Sequence, residues 1–205
     1  MKPFYFSLML VGVAASARAT VLTFDAVTAA PCTDGTAYMA SFGISVTGSA
    51  SARICLSAPV GGAQAFSGPN LLLLDTPLPS NSTYTFFFVF DNPVSNVSFV
   101  RTRINPDSTG PAWTATALSA GNVSLASTGE GTTFAPAAMV FNLTAIGIAS
   151  IRFDTNNTSA RTYNVPPIDD FSFTASVPEP STWALLISGL AVGAIARRRR
   201  AMGSQ

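Results

Sequence analysis

Nine carboxylates lie between Thr20 and Val177, and they are the side chains of this stretch with the widest chemical scope. The chain has no histidine, which removes Ser-His-Asp and Cys-His catalysis together with the most common metal ligand. The same span has no lysine, so Schiff-base chemistry and a phosphate-binding P-loop are excluded, and no G-x-S-x-G or zinc motif occurs. What remains for general acid/base work is a facing pair of carboxylates, as glycoside hydrolases use, drawn from Asp25, Asp75, Asp91, Glu130, Asp154, Asp169 and Asp170. These acids sit mainly at the ends of predicted strands, where they ordinarily cap turns. The body therefore reads as non-enzymatic, with a secreted glycan-active enzyme using paired carboxylates as the alternative.

The elements that would position these acids are strands almost throughout. Short β-branched or aromatic runs bounded by Gly, Pro, Asn and Asp recur, among them "TVLTFD" (Thr20–Asp25), "FGISVTG" (Phe42–Gly48), "ARICLS" (Ala52–Ser57), "NLLLLD" (Asn70–Asp75) and "STYTFFFVFD" (Ser82–Asp91). They continue with Val94–Ile104, Ala112–Ala120, Asn122–Thr128, Thr132–Leu143, Ile148–Thr155 and Ile168–Ser176. No sustained 3.6-residue apolar period appears, so an all-β sandwich is expected. In "NVSFVRTRI", Val97, Phe99 and Arg101 should face one way and Ser98, Val100 and Thr102 the other. "TFFFVF" is apolar without a break, which calls for neighbouring strands on both of its sides.

"LTFD" near the start and "IDDFSF" near the end of this series resemble the terminal strands of jelly-roll carbohydrate-binding and galactose-binding-like domains. Some of those domains hold a structural calcium where the two strands meet. The resemblance implies a calcium site at Asp25, Asp169 and Asp170, since calcium needs six to eight oxygens; the alternative is that these acids cap turns. No other cofactor is expected. Sugar recognition would use an exposed ring, and among Trp113, Tyr38, Tyr84 and Tyr163 the first choice is Trp113, next to the loop "NPDSTGPA", the alternative being that Trp113 belongs to the core.

Charge narrows the partners. Five arginines against nine aspartates and glutamates give Thr20–Val177 a net charge of −4, without a basic stripe, so no nucleic-acid partner is expected. Cys32 and Cys55 are the only cysteines, and in an exported chain they are expected to bond to each other, the alternative being two free thiols.

Export is the reading of the N-terminus: Lys2, an apolar run from Phe4 to Ala15 and the small-residue segment "ASARAT" describe a signal peptide over residues 1–19, cut between Ala19 and Thr20. Residues 20–176 then form the sandwich domain. Beyond it, Val177-Pro178-Glu179-Pro180-Ser181-Thr182 precedes an uncharged apolar run, Trp183–Ala196, and four arginines, Arg197, Arg198, Arg199 and Arg200, before a tail at 201–205. A 14-residue helix is about 21 Å long against a hydrocarbon core of about 30 Å. Snorkelling arginines at one end and Trp183 at the other extend its reach, so a single transmembrane helix is expected, with the arginines cytoplasmic and the body outside.

Residues 177–200 closely resemble the PEP-CTERM protein-sorting signal of Gram-negative bacteria that export polysaccharide. The resemblance implies exosortase, a membrane-embedded cysteine transpeptidase-like enzyme, as partner. It also implies that Pro178, Glu179 and Pro180 are the recognised motif, that residues 183–196 anchor the chain transiently, and that Arg197–Arg200 are the cytoplasmic stop. The expectation that follows is a protein of the cell envelope or extracellular matrix, whose body binds extracellular polysaccharide or serves as a plain adhesin.

Overall fold

A strand that turns Tyr84, Phe86, Phe88 and Phe90 to one side can bury that face only against a second layer. In the computed structural model, which describes residues 18–28, 32–48, 51–56, 63–75, 83–103, 112–131, 137–156, 166–175 and 187–191, all four are buried. From the other layer Phe171 packs on Phe88 and Phe90, and Phe173 on Phe90.

The strands are β1 (Ala19–Leu22), β2 (Thr33–Asp34), β3 (Ile44–Gly48), β4 (Ser51–Leu56), β5 (Asn70–Asp75), β6 (Thr83–Arg101), β7 (Ala112–Leu118), β8 (Ser124–Glu130), β9 (Met139–Leu143), β10 (Ile148–Asn156) and β11 (Ile168–Ala175). One short helix, α1 (Thr36–Ala40), precedes β3. Every strand pairing is antiparallel. The first half of β6 pairs with β3 and β10, and β10 continues the layer to β7 and β8. Its second half pairs with β9 and β11, and β11 leads to β1 on one stretch and to β5, β4 and β2 on another. The result is a β-sandwich-like fold in which β6 belongs to both layers.

The two strands expected at Ser82–Asp91 and Val94–Ile104 are thus one strand of 19 residues. Pro93 does not break it, because it sits where the β10 ladder jumps from Val89 to Val94, a stretch in which no inter-strand N–H is required. The strand expected from Thr132 is described only from Met139. β6 also has neighbours on both sides, as its unbroken apolar sequence requires.

Rings from the two layers meet across the core. Phe88 and Phe153 lie on one side, Phe99 and Phe171 on the other, with centroids 5.4 Å apart for Phe88–Phe171 and 5.5 Å for Phe99–Phe153. Phe86 stacks on Phe153 at 4.8 Å. Each buried ring contributes about 1.5–3 kcal/mol, which makes this aromatic cluster the main cohesive feature between the layers.

By contact the chain divides into two units, Arg18–Ser176 and a second composed of Met1–Ala17 with Val177–Gln205. In the second, residues 187–191 are helical, and among the described residues no helix is long and apolar enough to cross a membrane. The signal-peptide segment before Arg18, the Pro178-Glu179-Pro180 motif and Arg197–Arg200 lie outside the described residues.

Candidate functional site

Strand β11 carries a bulge at its start. Asp169 pairs with Val100 and Ser172 with Ser98, so two residues, Asp170 and Phe171, oppose Phe99 alone, and Asp170 has φ +44°. In a regular strand Asp169 and Asp170 would point to opposite faces. The bulge lets both address one loop, the segment that leads into β5. Asp169 Oδ2 accepts the backbone N–H groups of Phe66 (2.8 Å) and Ser67 (2.9 Å), while Asp170 Oδ1 accepts the Ser67 hydroxyl at 2.5 Å. The Asp170 N–H closes on Asp169 Oδ1 at 2.7 Å.

The far end of the loop is held by Asp25. Its Oδ1 accepts the Asn70 N–H at 3.3 Å, and the carboxylate lies so near Gly68, at φ +53°, that a Cβ there would collide with it. Asn70 Nδ2 donates to Phe24 O (3.0 Å) and Val27 O (2.9 Å), leaving Asn70 Oδ1 buried without a donor. The three acids singled out in the sequence therefore meet around one loop. Among the described residues no three acidic, Cys or His side chains converge in a metal-ligating group.

Asp169 is fully buried, and burial pushes its carboxyl up to about 6. The N–H groups of Ser67, Asp170 and Phe66 pull the other way, and the neighbouring Asp170 charge adds to the rise. What this cluster holds in place is the backbone of Phe66, whose ring is 57% exposed and the one aromatic side chain that stands out of the surface among the described residues. Phe66 lines a cleft of about 460 Å³ with Gln64, Ala65, Arg103, Ala137 and Ala138. Gln64 and Arg103 are cross-linked by Gln64 N–H to Arg103 O at 2.9 Å.

Trp113 corrects the expectation of an exposed platform: it is 2% exposed, with its ring 4.8 Å from that of Phe141 and 5.9 Å from Phe99. It occupies the inward phase of β7 with Ala115 and Ala117, and the core accepts its polar edge because Nε1 donates to Glu130 Oε2 at 2.8 Å. Glu130 also takes a two-pronged bond from Arg101, at 3.0 Å from Nε and 2.7 Å from Nη2. Arg101 is fully buried, as its phase with Val97 and Phe99 implies, and Nη1 donates to Ala137 O at 2.7 Å. One wall of the Phe66 cleft is thus fixed from within the core.

Tyr84 is buried and Tyr38 half-buried; Tyr163 lies outside the described residues. Glu130 and Asp154 share a second cavity of about 450 Å³ beside Trp113, but both are engaged, Asp154 by Arg152 Nε (2.7 Å) and the Thr85 hydroxyl (2.7 Å). Cys32 and Cys55 are bonded to each other.

Phe66 was missed in the sequence because it belongs to no strand pattern. The signal was its setting, "AFSGPN", an aromatic carried by turn-forming residues.

Comparison with known families decides the C-terminal segment. Residues 176–200 match the family model of the PEP-CTERM protein-sorting motif. The motif and the disulfide together support export of this chain. For the sandwich, a similar solved structure is the K2 cleaved adhesin domain of Lys-gingipain, at 14% identity and TM-score 0.52, covering 77% of this chain and 99% of that one. The CBM22-1 xylan-binding domain of Paenibacillus barcinonensis Xyn10C follows at 13% identity and TM-score 0.42, covering 81% and 100%. The family 11 carbohydrate-binding module of Clostridium thermocellum gives 12% and 0.36, covering 80% and 99%. At 14% identity the likeness to the adhesin domain is one of fold alone. No curated protein sequence matches the chain.

Proposed function

We propose that this protein is an exported, non-enzymatic binding module with a jelly-roll-like body, delivered to exosortase by its PEP-CTERM segment and retained at the cell surface or in the extracellular matrix, where it binds polysaccharide. The observation that carries the sorting half is the motif match at residues 176–200. The prolines keep Glu179 in extended backbone, and the apolar run with its arginines serves as a transient membrane anchor after signal-peptide removal at Ala19.

The binding half rests on the Phe66 cleft. An exposed ring beside an amide and a guanidinium offers a pyranose a stacking face and polar edges, and a cleft of about 460 Å³ is within the range of small-molecule sites. Against the alternative of a glycan-active enzyme stands the engagement of Glu130 by Arg101 and Trp113 and of Asp154 by Arg152 and Thr85, which ties both acids of the second cavity to partners within the chain.

Calcium belongs to the same reading. The three acids do not converge on one point, so an ion held at this loop would take part of its negative charge from them and the rest of its oxygens from loop carbonyls and from Asn70 Oδ1, which is buried without a donor. Bound there, the ion would brace the loop that carries Phe66.

Co-sedimentation of the exported protein with the extracellular polysaccharide of its host tests the binding half. Enrichment in the polymer pellet is the expected result, and complete recovery in the supernatant would contradict it.

A further inference from the structure

We propose that the Phe66 cleft selects acidic polysaccharide, with a uronic-acid ring stacked on Phe66 and its carboxylate held by Arg103. The inference deepens the glycan-binding reading above and rests on it. The deciding residue is Arg103. Arg101 and Arg152 are each bonded to a carboxylate of this chain, Glu130 and Asp154. Arg103 is exposed and lines the cleft, and among the described residues its guanidinium has neither a hydrogen bond nor an ion pair.

An arginine fork matches a planar carboxylate with two parallel N–H···O bonds, whereas a neutral hydroxyl uses only part of it. The other lining groups suit a sugar ring: the face of Phe66 for its C–H side, the Gln64 amide for hydroxyls, and Ala65, Ala137 and Ala138 as small walls that leave room. The body's net charge of −4 disfavours a polyanion at long range, so the attraction is local, one guanidinium on one carboxylate.

Both sides of the cleft are fixed before a ligand arrives. Asp169 holds the backbone of Phe66, and buried Arg101 holds the carbonyl of Ala137 at 2.7 Å. Little ordering is then left to oppose binding. Asp169 and Arg101 are positioning residues, while Phe66 and Arg103 would touch the sugar.

The test is titration calorimetry of the protein as exported by its host, with oligogalacturonate, a neutral mixed-linked glucan oligomer and dextran sulfate as probes. Wild type is compared with Arg103→Gln and Phe66→Ala, both at exposed positions, and with unfolding midpoints as a check on folding. The expected result is preference for oligogalacturonate, weakened about tenfold by Arg103→Gln and by a similar factor by Phe66→Ala. Binding of oligogalacturonate that neither substitution weakens overturns the site. So does equal binding of dextran sulfate that is indifferent to Phe66→Ala, since charge alone would then explain it. Preference for the neutral oligomer, unchanged in Arg103→Gln, overturns the acidic class and leaves the glycan-binding reading standing. Absence of binding to every probe and to the host's own polysaccharide overturns both.

Discussion

Asp169, with no exposed surface, accepts the backbone N–H of Phe66 at 2.8 Å, so a fully buried acid fixes the backbone beneath the one aromatic ring that stands out of the surface among the described residues. The same carboxylate takes the N–H groups of Ser67 and Asp170, which makes it the junction between strand β11 and the loop leading into β5. The chemistry of the buried acid should therefore be readable in the stability of the whole fold.

Asp169 titrates near 3.8 when unfolded and near 6 when folded. The folded state binds this proton more tightly, so the stabilising contribution is complete below about pH 3.8 and is lost as pH rises through about 6. Asp169→Asn should remove this slope between pH 4 and 7. It should also lower stability at pH 4 by about 1–3 kcal/mol, because an amide cannot accept all three N–H bonds. Urea unfolding of both proteins across that interval checks the expectation.

Glu130→Ala should be among the most damaging single substitutions, at about 3–5 kcal/mol, because it strands the buried Arg101 charge and the Trp113 N–H together. Glu130→Gln, which keeps an acceptor, should cost less. Thermal unfolding of the two variants gives the order directly.

Calcium should raise the unfolding midpoint of the wild type in a concentration-dependent way, as any ligand of the folded state does. The rise should vanish in an Asp25→Asn, Asp170→Asn double variant. A midpoint indifferent to millimolar calcium and to chelator would reduce the three acids to clamps for the loop.

Reducing the Cys32–Cys55 bond, or replacing Cys55 by Ala, should lower stability by about 2–4 kcal/mol, the range for closing a loop of this length. Denaturant titration with and without reductant measures it.

Much of the fold was legible because short β-branched, aromatic or leucine runs bounded by turn residues mark most of its strands. β5 occupies Asn70–Asp75 as expected, and Val97, Phe99 and Arg101, expected on one face, are all buried. Other features resist local reading. The five-residue helix α1 is too short to show a period, and the fusion of two expected strands into β6 depends on β10 shifting its register opposite Pro93. Trp113 misled because proximity to a loop says nothing about which face of β7 it takes. The three acids were legible as a group from their positions on the terminal strands, but the bulge at Asp170 that turns two of them onto Ser67 exists only through pairing with β6.

A C-terminal motif that serves as a processing signal should be removed in the host. Mass spectrometry of the mature protein from its host, with and without the exosortase, reads this out. With the enzyme present, the mature C-terminus should fall near the Pro178-Glu179-Pro180 motif, with Trp183–Arg200 absent; without it, that segment should be retained. Recovery of an intact Trp183–Arg200 segment while the exosortase is active would contradict the account.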